Sequence, residues 1–359
     1  MGNNKATLII VGGFLGAGKT SLLWETAKIL SERGEKVGMI TNDQASELVD
    51  TTFLETGAGL VNEVSGSCFC CNFQGFADAV KHIKDKNDGG IILAEPVGSC
   101  TDLSATILQP VKEKYADDIV LKPLTVLADP NKLKDILADA SSSPSYIISK
   151  QFEEADIILI NKTDLLPENE LSILIDETRE KWPLAEIMSV SIKEHKGIDE
   201  WIDNAMSGDS SGTKLAEVDY DIYAEGEAAF GWLNATFSIG KEAAFEKKAT
   251  YFVSSLAKRF ENANANVGHI KFSLKDKDEI FIGNITGPKN TTTIRKLRQS
   301  NPDRTLTVNA RVEMDPDYLK EIILEEVNKT FGNLDCKQTA LNCLIPGRPE
   351  PTYRYTTVI

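Results

Sequence analysis

Short apolar runs rich in β-branched residues recur through the first half of the chain, at residues 6–11, 37–41, 91–94, 121–128, 157–160 and 186–191. Between them, residues 20–33, 76–84 and 168–181 place apolar side chains at helical spacing. A strand that is apolar at successive positions is covered on both faces, and helices between such strands are the crossovers of a parallel sheet. The pattern therefore predicts an α/β fold with a mostly parallel sheet. Around residues 207–213 the chain turns to Ser, Gly and Asp, the composition of a linker or exposed loop. The expected division is a first domain at 1–206, a linker at 207–228 and a second domain at 229–359.

Beyond the linker the rhythm changes. A strand is expected at 230–239, a long helix at 242–262, paired strands at 269–274 and 279–285, a strand at 305–312 and a helix at 318–331. Adjacent strands joined by a short polar turn read as a hairpin, so this half is predicted to be a smaller α+β domain of β-α-β-β-α-β type. The Pro-rich stretch at 346–351 is predicted to be extended.

At 359 residues the chain has room for about two domains. Its 39 Lys and Arg against 54 Asp and Glu leave a net charge of −15, which disfavours a nucleic-acid partner. Hydrophobic residues at 42% and charged residues at 26% are globular values. The apolar opening at 7–17 is too short to span a bilayer and lacks the flanks of a signal peptide, so no membrane partner and a cytoplasmic location are expected. In a reducing compartment the six cysteines are not a disulfide framework, and three of them crowd into Cys68, Cys70 and Cys71.

Residues Gly13-Phe14-Leu15-Gly16-Ala17-Gly18-Lys19-Thr20 fit G-x-x-x-x-G-K-[ST], after an expected strand and opening an expected helix that continues through Ser21. Backbone amides of such a loop curl around phosphates, Lys19 reaches the β/γ oxygens and the Thr20 hydroxyl faces Mg²⁺. Asn161-Lys162-Thr163-Asp164 follows the strand at 157–160 as an N-K-x-D box. A carboxylate at Asp164 accepts from the two donors on the guanine edge, which adenine lacks, so GTP is the expected nucleotide. Ser191-Ile192, at the end of the next strand, is a further expected base contact. Glu95-Pro96-Val97-Gly98 places a carboxylate for Mg²⁺ and a glycine amide for the γ-phosphate directly after the strand at 91–94. Asp43 supplies a second acid to the same cleft, either for Mg²⁺ and water or as a metal ligand shared with the cysteines.

Three thiols in the four residues Cys68-Phe69-Cys70-Cys71 can converge on one soft ion such as zinc or cobalt. The C-x-x-C pair Cys68 and Cys71 is the redox alternative. Cys100, Cys336 and Cys343 are read as structural, as are the three histidines.

Taken in order, the Gly-Phe-Leu-Gly-Ala-Gly-Lys-Thr loop, the Cys-x-Cys-Cys run, Glu95-x-x-Gly98 and Asn161-Lys-x-Asp164 resemble the CobW-like GTPases, relatives of the nickel-insertion GTPases of urease and hydrogenase maturation. The resemblance covers roughly residues 6–206. It implies a GTPase with Mg²⁺ whose metal binding depends on nucleotide state, often through GTP-dependent homodimerisation. Zinc or cobalt would be the transferred ion, and the client a metalloenzyme or a corrinoid protein. The chain departs from the common pattern in having Gly66-Ser67 before the first thiol and Asn42-Asp43-Gln44-Ala45 after the second strand. The rivals are a P-loop kinase or ATPase, and a GTP-switched chaperone for a corrinoid enzyme whose cysteines hold only a structural metal.

Overall fold

The computed structural model describes residues 4–42, 49–55, 59–139, 142–209, 211–241, 244–287, 291–298 and 303–359. By their contacts they form two compact units, one of Met1–Ser46, Gly57–Gly226 and Arg348–Ile359, the other of Glu47–Thr56 and Glu227–Gly347.

The first unit is built on strands β1 (Ala6–Gly13), β2 (Val37–Asn42), β3 (Leu60–Val64), β4 (Ile91–Glu95), β5 (Ile119–Leu121), β6 (Thr125–Ala128), β7 (Ile157–Ile160) and β8 (Glu186–Ser189). Among the described residues they pair in parallel in the order β3-β2-β4-β1-β6-β7-β8, with β5 also on β1. The central strands β1, β2, β4, β6 and β7 are buried almost throughout, which is why each reads as an unbroken apolar run. The run at 121–128 was expected as one strand and is two. β5 and β6 both pair with β1, and the break falls around Pro123, which has no N–H to give the ladder. All these strands point the same way, so the loops after β1, β2, β3, β4 and β7 emerge along one rim, where parallel sheets bind ligands.

Residues 211–213, expected in a linker, are tied into this unit. The Gly212 amide donates to Asp156 Oδ2 at 2.7 Å, and its carbonyl accepts from Gln109 Nε2 at 2.8 Å. Small residues there let the backbone lie close to its neighbours, so the composition reported backbone freedom and not exposure. Arg348–Ile359, expected in the second domain, also packs in the first unit.

The second unit is an antiparallel sheet of β9 (Gly231–Ile239), β10 (Asn266–Asp276), β11 (Glu279–Thr286), β12 (Thr291–Arg298), β13 (Thr305–Glu313) and β14 (Cys336–Leu344), ordered β12-β11-β10-β13-β9-β14 among the described residues. The helices Phe245–Asn262 and Pro316–Phe331 bury aromatic side chains over it. Phe252 meets Phe272 and Phe331 edge-on, with centroids 5.2 and 5.5 Å away. The expected hairpin is β10–β11, and the order along the chain is β-α-β-β-β-β-α-β: β12 beside β11 and β14 beside β9 are added to the expected elements. The short helix Val49–Leu54 also belongs here: the Val49 amide donates to Asn309 Oδ1 at 2.8 Å, and Asp50 pairs with Lys271 at 2.6 Å.

Candidate functional site

The loop after β1 opens the helix Lys19–Glu32 through Gly18, whose φ of 106° is in the left-handed region that glycine tolerates. A Cβ at Gly18 would also lie 2.5 Å from Asn161 Nδ2. Lys19 is buried, donating to the Gly13 carbonyl at 2.8 Å and standing 3.8 Å from Glu95 Oε1. The Thr20 hydroxyl donates to the same carboxylate oxygen at 3.1 Å. Gly98 lies against this loop so closely that a Cβ there would stand 2.7 Å from Leu15 Cδ2 and 3.1 Å from Lys19 Nζ. Lys19, Thr20, Glu95 and Gly98 thus share one locus. A hydroxyl and a carboxylate are the hard oxygen donors that suit Mg²⁺.

The residues after β7 brace the loop from the other side. Asn161 Nδ2 donates to the Ala17 carbonyl at 2.8 Å, and Lys162, itself at φ 59°, donates to the Gly16 carbonyl at 2.8 Å and to Asp129 at 2.7 Å. Asp164 accepts from the Ser191 hydroxyl at 2.8 Å and from Lys193 at 3.2 Å. Burial pushes its carboxyl up, but the Ser191 hydroxyl and the Lys193 ammonium prevail and hold it below the usual range. It is a carboxylate, positioned as an acceptor. The Ile192 amide donates to Asn161 Oδ1 at 3.4 Å, so Ser191 and Ile192 join the group. Ser21 follows in the first turn of the helix Lys19–Glu32. Asp43 lies outside the described residues.

Its neighbour Asn42 has a role that the sequence reading missed. At the end of β2 its amide donates to the carbonyls of Val64 (2.9 Å) and Ser67 (2.8 Å), and its oxygen accepts from the Phe69 amide at 2.9 Å. Those three bonds fix the loop that carries the thiols. Cys68 and Cys71 close a turn, with the amides of Cys71 and Asn72 donating to the Cys68 carbonyl, and Asn72 then caps the helix Phe73–Asn87 through the Gly75 amide at 3.0 Å. Phe69 is buried against Phe76 with centroids 4.6 Å apart, which leaves the flanking thiols together. The sulfurs of Cys68, Cys70 and Cys71 lie within 4.8 Å of one another, with Cys68 and Cys70 2.7 Å apart.

A fourth thiol acts on them. Cys100, two residues past Gly98, is the largest influence on the acidity of both Cys68 and Cys70, although its sulfur is not one of the three that gather within 4.8 Å of one another. The structural reading of Cys100 omitted this influence, because the proximity comes from the strand order β3-β2-β4 and not from spacing. Cys100, then Cys70 and Cys71, drive the Cys68 thiol far below the ordinary range. The same neighbourhood, Cys100 first, pushes Cys70 well up, and Cys68 pushes Cys71 up to about 11. Cys336 and Cys343 are in the second unit, where burial pushes both thiols up.

Glu154 is wholly buried at the end of the helix Ser143–Glu154, accepting from the Ser104 amide at 2.7 Å. Burial, with the Asp102 carboxylate nearby, pushes its carboxyl up to about 8 from 4.5. The folded state therefore holds this proton more tightly than the unfolded chain. Its contribution is complete below about pH 4.5 and is lost as pH rises towards about 8, on the order of 5 kcal/mol in all. Glu154→Gln is expected to flatten this slope, as read from urea midpoints near pH 5 and pH 8.5. Wild-type stability that does not fall across that interval would refute it.

Residues 7–189 match the family model described as CobW/HypB/UreG, nucleotide-binding domain. The zinc chaperone YjiA of Escherichia coli (strain K12) is 30% identical over 171 residues, 46% of this chain and 52% of that protein. The hydrogenase maturation factor HypB of Azotobacter vinelandii is 26% identical over 189 residues, 52% of this chain and 55% of that protein. The chain spans about half the length of the curated relatives it matches. A crystal structure of HypB from Archaeoglobus fulgidus aligns with a TM-score of 0.41 and 19% identity over 55% of this chain and 87% of that one. Among the described residues no helix is long and apolar enough to cross a membrane. The family match takes in β1 to β8, the phosphate loop, the cysteine turn and the Asn161 box, so this chain belongs to the CobW/HypB/UreG family.

Proposed function

We propose that this protein is a GTPase that carries a transition metal, with nucleotide state and metal affinity linked. Lys19 and the loop amides from Gly13 to Thr20 hold the phosphates of GTP. Thr20 and Glu95 hold Mg²⁺, Asp164 with Ser191 and Ile192 reads guanine, and the Gly98 amide meets the γ-phosphate. Cys68, Cys70, Cys71 and Cys100 take up zinc or cobalt. The ion is cargo, passed to a client metalloenzyme or corrinoid protein that the second unit recognises.

One observation carries this reading. Glu95 ends β4 and Gly98 and Cys100 follow on the next loop, with Glu95 and Gly98 against Lys19 and Cys100 acting on the Cys68 and Cys70 thiols. A shift of that loop on binding the γ-phosphate moves one thiol relative to the other three. Reciprocity then requires the metal to alter GTP affinity by the same factor, typically ~5–150-fold. Titration with Co²⁺, followed by thiolate charge-transfer absorbance, is expected to give different affinities with and without a non-hydrolysable GTP analogue, and no difference with the ATP analogue. Identical affinity in the two guanine-nucleotide conditions would leave a static metal site and overturn the carrier reading.

A further inference from the structure

The segment Arg348–Ile359 has no regular secondary structure, yet its middle residues are bonded to the two loops that carry the thiols. The Thr352 amide donates to the Cys70 carbonyl at 2.8 Å, and the Thr352 hydroxyl to the Cys71 carbonyl at 3.1 Å. Tyr353 stands edge-on to Phe73, in the first turn after the cysteines, with centroids 5.1 Å apart. These contacts all fall on the loop after β3.

The next residues hold the loop after β4. Arg354 Nε donates to Asp102 Oδ2 at 2.6 Å, and the side chain of Asp102 is fully buried. Asp102 is two residues past Cys100, sits at φ 64° and also accepts from the Tyr220 hydroxyl at 2.9 Å. The Tyr355 amide then donates to the Ala105 carbonyl at 3.0 Å. Cys68 and Cys70 are 8% and 3% exposed beneath this cover.

We infer that Arg348–Ile359 is a strap that closes the cysteine pocket, with Arg354 its anchor, and that access to the thiols requires the strap to lift. Thr352 and Arg354 are positioning residues: each holds a loop on which thiols sit, and neither contacts the ion. The geometry favours an anchor that releases as a unit. Among the described residues, the Arg354–Asp102 pair is the only bond in the strap made to a fully buried charge, and losing one member of such a pair is far more costly than losing a backbone bond at the surface. Whatever draws Arg354 away opens both loops at once. The role in metal exchange rests on the proposed metal site, whereas the cover itself does not.

The test uses the full chain in two states. In the metal-free, reduced protein, iodoacetamide labelling of Cys68 and Cys70, resolved by peptide mass spectrometry, is expected to be at least ~10-fold faster in Arg354→Gln than in wild type. Arg354→Lys, which keeps a cation for Asp102, is expected to restore most of the protection, and Thr352→Val to give a smaller acceleration. Labelling of Cys336 and Cys343 in the second unit reports global unfolding and is expected to stay at the wild-type rate. In the Co²⁺-loaded protein, loss of the thiolate band to excess chelator is expected to accelerate by a similar factor in Arg354→Gln. Equal labelling of Cys68 and Cys70 in wild type and Arg354→Gln overturns the strap. Faster labelling at all four of these cysteines overturns it too, because it shows unfolding. Selective acceleration in Arg354→Gln, alongside a wild-type chain that develops no Co²⁺–thiolate band, supports the strap and refutes the metal site.

Discussion

A Lys19→Ala chain is expected to lose at least about 30-fold in GTP affinity while keeping its helix and strand content. The ammonium is buried and anchored between the Gly13 carbonyl and Glu95, so it meets a phosphate already desolvated and already in place. Truncating one member of a buried, hydrogen-bonded charge pair costs roughly 2–5 kcal/mol, which is about 30-fold to several thousand-fold. The same burial gives the substitution a second effect. Glu95 then keeps the Thr20 hydroxyl but loses its nearby cation, and the nucleotide-free protein is expected to melt at a lower temperature, by an amount matching about 1–3 kcal/mol. Lys19→Met, which fills the space without the charge, separates the two: it is expected to recover part of the melting temperature and none of the GTP binding. Calorimetric titration of each variant with GTP decides the point. Near-normal affinity in either would place the nucleotide elsewhere.

The sequence made some parts of this molecule plain and concealed others, for reasons visible in individual residues. The central strands announced themselves because burial on both faces writes an unbroken apolar run, as in Ile91–Glu95 or Ile157–Ile160. Edge strands carry a weaker signature, and of these only Glu186–Ser189 was read as a strand. Leu60–Val64 needs few apolar positions, and Thr291–Arg298, with Arg295, Lys296 and Arg298, has the charged, exposed pattern that keeps an open edge from pairing with another chain. Neither was legible, and neither was Cys336–Leu344. The phosphate loop and the Asn161 box were legible because their chemistry is local: the groups that act are neighbours in sequence. The thiol pocket was legible only as far as it is local. Cys68, Cys70 and Cys71 stood out by crowding. Cys100 reaches them through sheet order, Asn42 through its place at the end of the strand between the two loops, and Arg354 from far along the chain. Nothing in the spacing of those residues encodes that meeting.

Replacing the thiols one at a time is expected to reveal four ligands of unequal function. Structural zinc sites are worth roughly 10–16 kcal/mol in all, so each of four thiolates accounts for roughly 3 kcal/mol, or about a hundred-fold in affinity. Cys68→Ser, Cys70→Ser, Cys71→Ser and Cys100→Ser are each expected to weaken Co²⁺ binding by about that factor and to reduce the thiolate charge-transfer band by about a quarter. Cys343→Ser, in the second unit, is expected to change neither. The variants separate when the titration is repeated with a GTP analogue. Cys68, Cys70 and Cys71 sit on one turn held together by Asn42 and the Asn72 cap, so the loss of any one leaves the loop after β4 still reporting nucleotide state through Cys100. Cys100 is the thiol on the loop that follows Glu95 and carries Gly98. Its replacement is therefore expected to abolish the dependence on nucleotide while three thiolates still hold the ion. A Cys100→Ser chain with an undiminished charge-transfer band would return the site to three cysteines. One with a weakened band that still responded to nucleotide would move the coupling to another part of the fold.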